Sequence, residues 1–321
     1  MHAVPARLGA SLFRPVGPAN LGFARMLFFG LLLWYYLPIS YTEWALMDPV
    51  FFKPTYFFRK FDIPVFSAET IAALQTLWKV ALGMACVGLL TRTSVATAFV
   101  TGTYLLGLPH NFGKVHHYDA LVVFCMGILM LSRCGDAWSL DRLFAAQKGA
   151  PRPARSGEYT WPVRTIQMTF VLVMFGAGYS KLQVSGLGWL ASENMAINLV
   201  RHQYSIGNYE PVVDWGLWIA QHAWLCWLFG AASLAAEALI PLALVSRTAR
   251  WLFVPTLFGM QVGIRLLLGP SFAPMLICYL FWVPWDKVGV RAAQLVSRQR
   301  PAASDTEATP IALPTPRAKA A

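Results

Sequence analysis

An all-α bundle of membrane-crossing helices is what this 321-residue sequence calls for, on three observations. Apolar residues make up 57% of the chain and charged residues 13%, against about 45–50% and about 25% in soluble domains. Apolar runs near the roughly 20 helical residues needed to cross a bilayer core recur along the chain. Lys and Arg collect in alternate connections between those runs. This composition, with a mean hydropathy of +0.50, excludes a soluble enzyme. It also removes nucleic acid as the reason for a net charge of +11, because a membrane protein keeps its cations on cytoplasmic loops.

The runs, in order, are 21–39, 71–90, 95–109, 120–131, 163–179, 224–244, 251–268 and 272–285. The first follows Arg7 and Arg14 but precedes no small-residue cleavage site, so it reads as a retained helix and not a signal peptide. The connection 40–69 interleaves aromatics with Lys53, Arg59 and Lys60, the composition of a segment lying at the headgroups. The fourth run, 120–131, is short. In the connection 182–222, Leu190, Ile197 and Val200 share one face of an interfacial or re-entrant helix. The connection around "FAAQKGAPRPARSGEY" is basic and Pro-rich, hence solvated. Beyond about Ser297 the composition cannot bury a core and predicts disorder.

Eight crossings with both termini cytoplasmic put seventeen basic residues inside and seven outside, with Arg25 and Lys79 inside apolar runs. This satisfies the positive-inside rule. The expected layout is a cytoplasmic segment 1–18, a transmembrane domain 19–286 and a basic, disordered cytoplasmic tail 287–321. The expected location is a bacterial inner membrane, crossed many times. No internal repeat supports a transporter's inverted symmetry. Cys86, Cys125, Cys134, Cys226 and Cys278 show no metal or redox spacing and read as packing residues.

Ionisable groups inside apolar runs are costly and are functional candidates by default. Lys79 and Glu237 are two such groups; the structural alternative pairs them with each other or with backbone. A second group, "PHNFGKVHHYD", holds His110, His116, His117, Tyr118 and Asp119. A His beside a carboxylate is an acid or base near neutral pH. It does not predict a metal site, since adjacent His residues on a helix diverge by about 100°. The third candidate is Lys181 in "VMFGAGYSKLQ", where an amine at the edge of low dielectric loses hydration and becomes a usable base. Its alternative is a snorkelling lysine that marks the membrane boundary. On the expected topology Lys181, the His116 region and Arg265 fall on one outer rim, as around an outward-facing pocket.

The order "HHYDALVVFCMGILMLSRCGDAWSLDRLF", "RTIQMTFVLVMFGAGYSKLQVSGLGWL", "EALIPLALVSR" resembles the HTTM (horizontally transferred transmembrane) domain. That family includes the membrane part of vitamin K-dependent gamma-carboxylase. The most specific elements are His116-x-Tyr118, Trp138-Ser139-Leu140-Asp141, Gln167, Ala177-Gly178-x-x-Lys181-Leu182 and Trp189. The resemblance implies that Lys181 is the base that deprotonates a reduced, vitamin K-like quinone, with His116 and Tyr118 as accompanying site residues. A membrane quinone, a small peptide substrate and the lipid bilayer are the implied partners. The sequence departs from the carboxylase near Met260, where the family has His, and at Ser180-Lys181, where it has Lys-Lys. It also lacks the carboxylase's second domain, which argues against carboxylation of large proteins. Two functions stay open: a quinol- or lipid-dependent, carboxylase-like enzyme, or a non-catalytic module that binds a lipid, a quinone or a partner redox protein.

Overall fold

The computed structural model describes residues 11–113, 117–204 and 210–288, without the side chains of 117 and 118. The tail expected to be disordered lies almost wholly outside these residues. The described chain is helical, with no β-strand among the described residues and one isolated antiparallel bridge, Val16 to Ser156. The helices used below are α1 (Ala19–Tyr36), α2 (Ala68–Val87), α3 (Thr91–Gly107), α4 (His117–Met130) and α5 (Leu140–Gln147). They continue with α6 (Trp161–Ser185), α7 (Ser192–Tyr204), α8 (Ala223–Leu239), α9 (Arg247–Leu267) and α10 (Ala273–Ile277).

Every apolar run of the sequence is helical. Among the described residues, two segments are long and apolar enough to cross a membrane, α2 and the stretch Gly157–Leu190 that contains α6. The last run departs most from expectation. Its α-helix has five residues, followed by a 3-10 turn of five, Cys278–Trp282. Together these fall short of the roughly 20 residues of a crossing. Pro274 and Pro284 bracket the segment, and Cys278, Tyr279 and Phe281 bury it within the bundle.

The core is rich in aromatic rings. Phe28, Phe29, Trp78, Phe170 and Phe281 are fully buried, and edge-on contacts such as Phe170 to Tyr279, 4.7 Å between centroids, join α6 to the final turn. Large apolar residues also stand outward, with Trp34 74%, Leu172 69% and Val100 63% exposed. An apolar helix surface of that kind marks a side that faces a membrane or another protein.

The helix ends explain several charged residues. Ser67 caps α2, its Oγ accepting from the Thr70 N–H, and Gly88 ends it at φ +71°, a left-handed stop that glycine takes without strain. α1 stops at Tyr36 while its neighbour α2 runs on. Lys79 Nζ, from α2, donates to the carbonyls of Leu37 at 2.9 Å and Ile39 at 3.0 Å. Those carbonyls have no helical partner of their own. Lys79 is therefore a cap supplied by a neighbouring helix, and it does not pair with Glu237.

Close approach of α1 to the 131–139 connection depends on Gly22. A Cβ there would sit 2.3 Å from the Ala137 carbonyl oxygen, a backbone atom that cannot rotate away. Gly22→Ala is expected to cost about 1–3 kcal/mol by overpacking. Thermal unfolding in detergent, beside Gly176→Ala at an open position, measures it; equal melting temperatures would refute the close contact.

Candidate functional site

Lys181 lies four residues before the end of α6. Helical side chains lean toward the N-terminus, so its amine reaches back along the helix toward α8. There it meets Glu237, with Nζ donating to Oε1 and Oε2 at 2.7 Å each. Ser233 Oγ, one turn from Glu237 on the same face of α8, accepts from Nζ at 3.4 Å. The Trp189 ring, in the turn after α6, stands 4.9 Å from Nζ, within the range of a cation–π contact. The Glu237 side chain is 5% exposed and the Lys181 side chain 22%. Both charges thus sit in an apolar setting and depend on each other.

Gly178 makes this meeting possible. It shares a face with Lys181, one turn earlier, and a Cβ there would lie 2.9 Å from Glu237 Cβ and 3.0 Å from the Ala238 nitrogen. The helices approach to backbone distance at that point. The Gly-x-x-Lys spacing therefore has a mechanical meaning, with glycine letting α8 in and lysine capturing its carboxylate. Tyr279 completes the surroundings: its hydroxyl is buried with no hydrogen-bond partner among the described residues, within electrostatic reach of Glu237.

Asp119, in the first turn of α4, belongs to a different network. Tyr36 donates its hydroxyl to Oδ1 at 3.0 Å, and His110 Nε2 is 3.7 Å from Oδ2. His116 lies outside the described residues. His117 and Tyr118 lie on the first turn of α4, and their side chains are likewise outside the description. Arg265 is committed to backbone: its Nη1 donates to the carbonyls of Glu210 at 3.1 Å and Gly269 at 2.6 Å, closing the C-terminal end of α9.

Of the sequence candidates, then, Lys181 and Glu237 come together, while Lys79 and Arg265 cap helix ends. Ser233, Trp189, Tyr279 and Tyr36 complete the two networks and had not been singled out as partners. Ser233 and Glu237 at i and i+4 on an apolar helix were the available signal. Gln167 Nε2 donates to the Phe281 carbonyl at 2.8 Å, pinning the final turn to α6.

The Trp138–Asp141 element is also a joint. Trp138 gives its carbonyl to Arg25 Nη2, Ser139 Oγ accepts from the Arg142 N–H at 3.0 Å and caps α5, and Asp141 caps α3. Its oxygens accept from the Leu90 and Thr91 N–H groups at 2.8 and 2.6 Å.

The HTTM domain family model matches residues 13–269, a span that contains α1 to α9 and therefore every residue of the two networks except Tyr279. No curated protein and no solved structure matches the chain.

Proposed function

The chain belongs to the HTTM domain family, and from that premise we propose that it is a multi-pass inner-membrane enzyme acting on a quinol-like lipid, with Lys181 and Glu237 as one proton-handling unit. The basic residues of the loops favour a cytoplasmic side for the connections that carry them. The observation that carries the reading is the doubly hydrogen-bonded Lys181–Glu237 pair on two apolar helices. Charges are rarely kept in such a setting without use.

The surroundings suit a flat ligand with hydroxyls: the Trp189 indole beside the amine offers a stacking face, and the buried Tyr279 hydroxyl a free hydrogen-bonding group. A quinol bound there would supply an acidic hydroxyl, and dissolved dioxygen would take its two electrons. Glu237 takes the proton of the Lys181 ammonium, and the neutral Nζ then receives the proton of the bound hydroxyl. The pair ends as a carboxylic acid beside an ammonium. Low dielectric favours the first transfer, since it turns two charges into two neutral groups. In the HTTM-related carboxylase the matching lysine is the proposed base, which supports the same role for Lys181.

A second reading also has an observation behind it. Two carboxylate oxygens, Ser233 and Trp189 together satisfy the ammonium, as they would in a strut inside a non-catalytic module for a lipid, a quinone or a partner redox protein. The experiment is quinol oxidation by purified protein in nanodiscs, with mass spectrometry of co-purifying lipids. Lys181→Ala is expected to abolish turnover, by 100-fold or more on the order of general base catalysis, and to retain the quinone. Full turnover in Lys181→Ala overturns the assignment of Lys181 as the base; no turnover in the wild type, with quinone retained, favours the module.

A further inference from the structure

Arg164 is the fourth residue of α6 and Arg250 the fourth residue of α9. A cation in the first turn of a helix meets the positive end of the helix dipole. The two guanidiniums are also within electrostatic reach of each other, and like charges at half-buried positions repel with little screening from salt. No carboxylate offsets this. The ion pairs among the described residues are His110–Asp119, Arg133–Asp136 and Lys181–Glu237, and Glu158, the acid nearest to Arg164 in the chain, accepts from the Trp161 indole N–H at 3.4 Å instead.

The final turn, Cys278–Trp282, lies between the two helices at this level. From α6, Arg164 Nη1 donates to Gln167 Oε1 at 3.2 Å, and Gln167 holds the Phe281 carbonyl. From α9, Arg250 Nε donates to the Ala243 carbonyl at 3.0 Å while its guanidinium stands 5.8 Å from the centre of the Trp282 ring. These contacts fix both arginines in place. They use one nitrogen of each, and the others have no protein partner among the described residues. Both side chains stay partly exposed, so a ligand reaches them from outside the bundle. Met168 and Leu172 follow Arg164 at i+4 and i+8 on the same face of α6, and both stand outward.

We propose that Arg164 and Arg250 together hold the phosphate of an anionic phospholipid, with an acyl chain laid along Met168 and Leu172. The charge argument requires an anion, and guanidinium forks match the geometry of phosphate oxygens. The apolar stripe beneath Arg164 requires that the anion carry hydrocarbon. On the topology expected from the sequence both arginines lie at the cytoplasmic end of their helices, the side on which basic pockets between membrane helices take anionic headgroups. The proposal rests on the membrane-crossing part of the reading above and on nothing of its chemistry.

The test is native mass spectrometry of full-length protein in detergent, stripped of lipid and given palmitoyl-oleoyl phosphatidylglycerol and phosphatidylcholine in equal amounts. The wild type is expected to retain phosphatidylglycerol about tenfold better or more, the scale of one charge-assisted hydrogen bond. Arg164→Gln combined with Arg250→Gln should bring the two lipids to parity. Should that protein fail to fold, Arg250→Gln alone is expected to lose a large part of the preference. Equal retention by the wild type, or a preference that survives these substitutions, overturns the proposal. So does displacement of the lipid by excess inorganic phosphate, which would make the occupant a free anion. Arg92→Gln, at an exposed cation in the first turn of α3, should keep the preference; a loss as large as that of the double variant would mean a general attraction to basic protein and no site. Lys181→Ala is expected to retain phosphatidylglycerol as the wild type does, so failure of the base assignment and failure of the lipid site are read separately.

Discussion

Lys181→Met is expected to lower the unfolding free energy by about 3–5 kcal/mol, the cost of leaving one partner of a buried ion pair uncompensated. Lys181→Met combined with Glu237→Leu should recover most of it. The argument runs through Glu237. Its side chain is 5% exposed and both of its oxygens are bonded to Nζ alone. Without the amine, the carboxylate must either stay charged in an apolar setting or take up a proton. Replacing both groups by apolar ones of similar size removes the problem. Denaturant unfolding in mixed micelles of the wild type, both single variants and the double variant gives the coupling energy. A double-variant loss equal to the sum of the two single losses would mean that the pair contributes nothing through its charge.

The same residues mark where sequence reasoning reached its limit. Apolar runs gave the helices, because a helix in lipid satisfies its own backbone and so leaves its signature in composition. Adjacency leaves no such signature. Lys79 and Glu237 are both lone charges in apolar runs, and nothing in one chain says which neighbour each faces. What distinguishes them is local. Lys79 lies beside a helix that stops early, at Tyr36, and spends its donors on the freed carbonyls. Glu237 lies opposite Gly178, where α6 lets the α8 backbone come close. The contact between the sulfurs of Cys125 and Cys278, 3.8 Å apart, was hidden for the same reason, since 153 residues separate them. The Trp138–Asp141 element was legible as a motif but not as a joint, because its partners Arg25, Leu90 and Thr91 come from α1, the α2–α3 turn and the start of α3.

That joint sets the other large effect. Asp141→Ala is expected to destabilise the fold by on the order of 3 kcal/mol, summing the loss of a helix cap with that of the carboxylate facing a buried cation. α3 begins at Leu90 with φ +46° and no side-chain cap of its own, so the Asp141 carboxylate is what its first N–H groups bond. Arg25, fully buried, has Nε and Nη1 without partners among the described residues and feels the Asp141 charge. Partial burial pushes the Asp141 carboxyl up, but the N–H groups of Thr91 and Leu90 together with Arg25 outweigh it and hold it below the usual carboxylate value. A carboxyl held lower in the folded than in the unfolded state stabilises fully above the unfolded value, about 3.9. That contribution is lost as pH falls through the lower, folded value. Melting temperature measured from pH 7 down to pH 3 should therefore fall more steeply in the wild type than in Asp141→Asn, which has no proton to take up. Parallel curves would show that the carboxylate caps α3 no better than an amide does. A smaller Asp141→Asn loss in an Arg25→Met background would then assign the remainder to the buried guanidinium, and an unchanged loss would assign it to the cap.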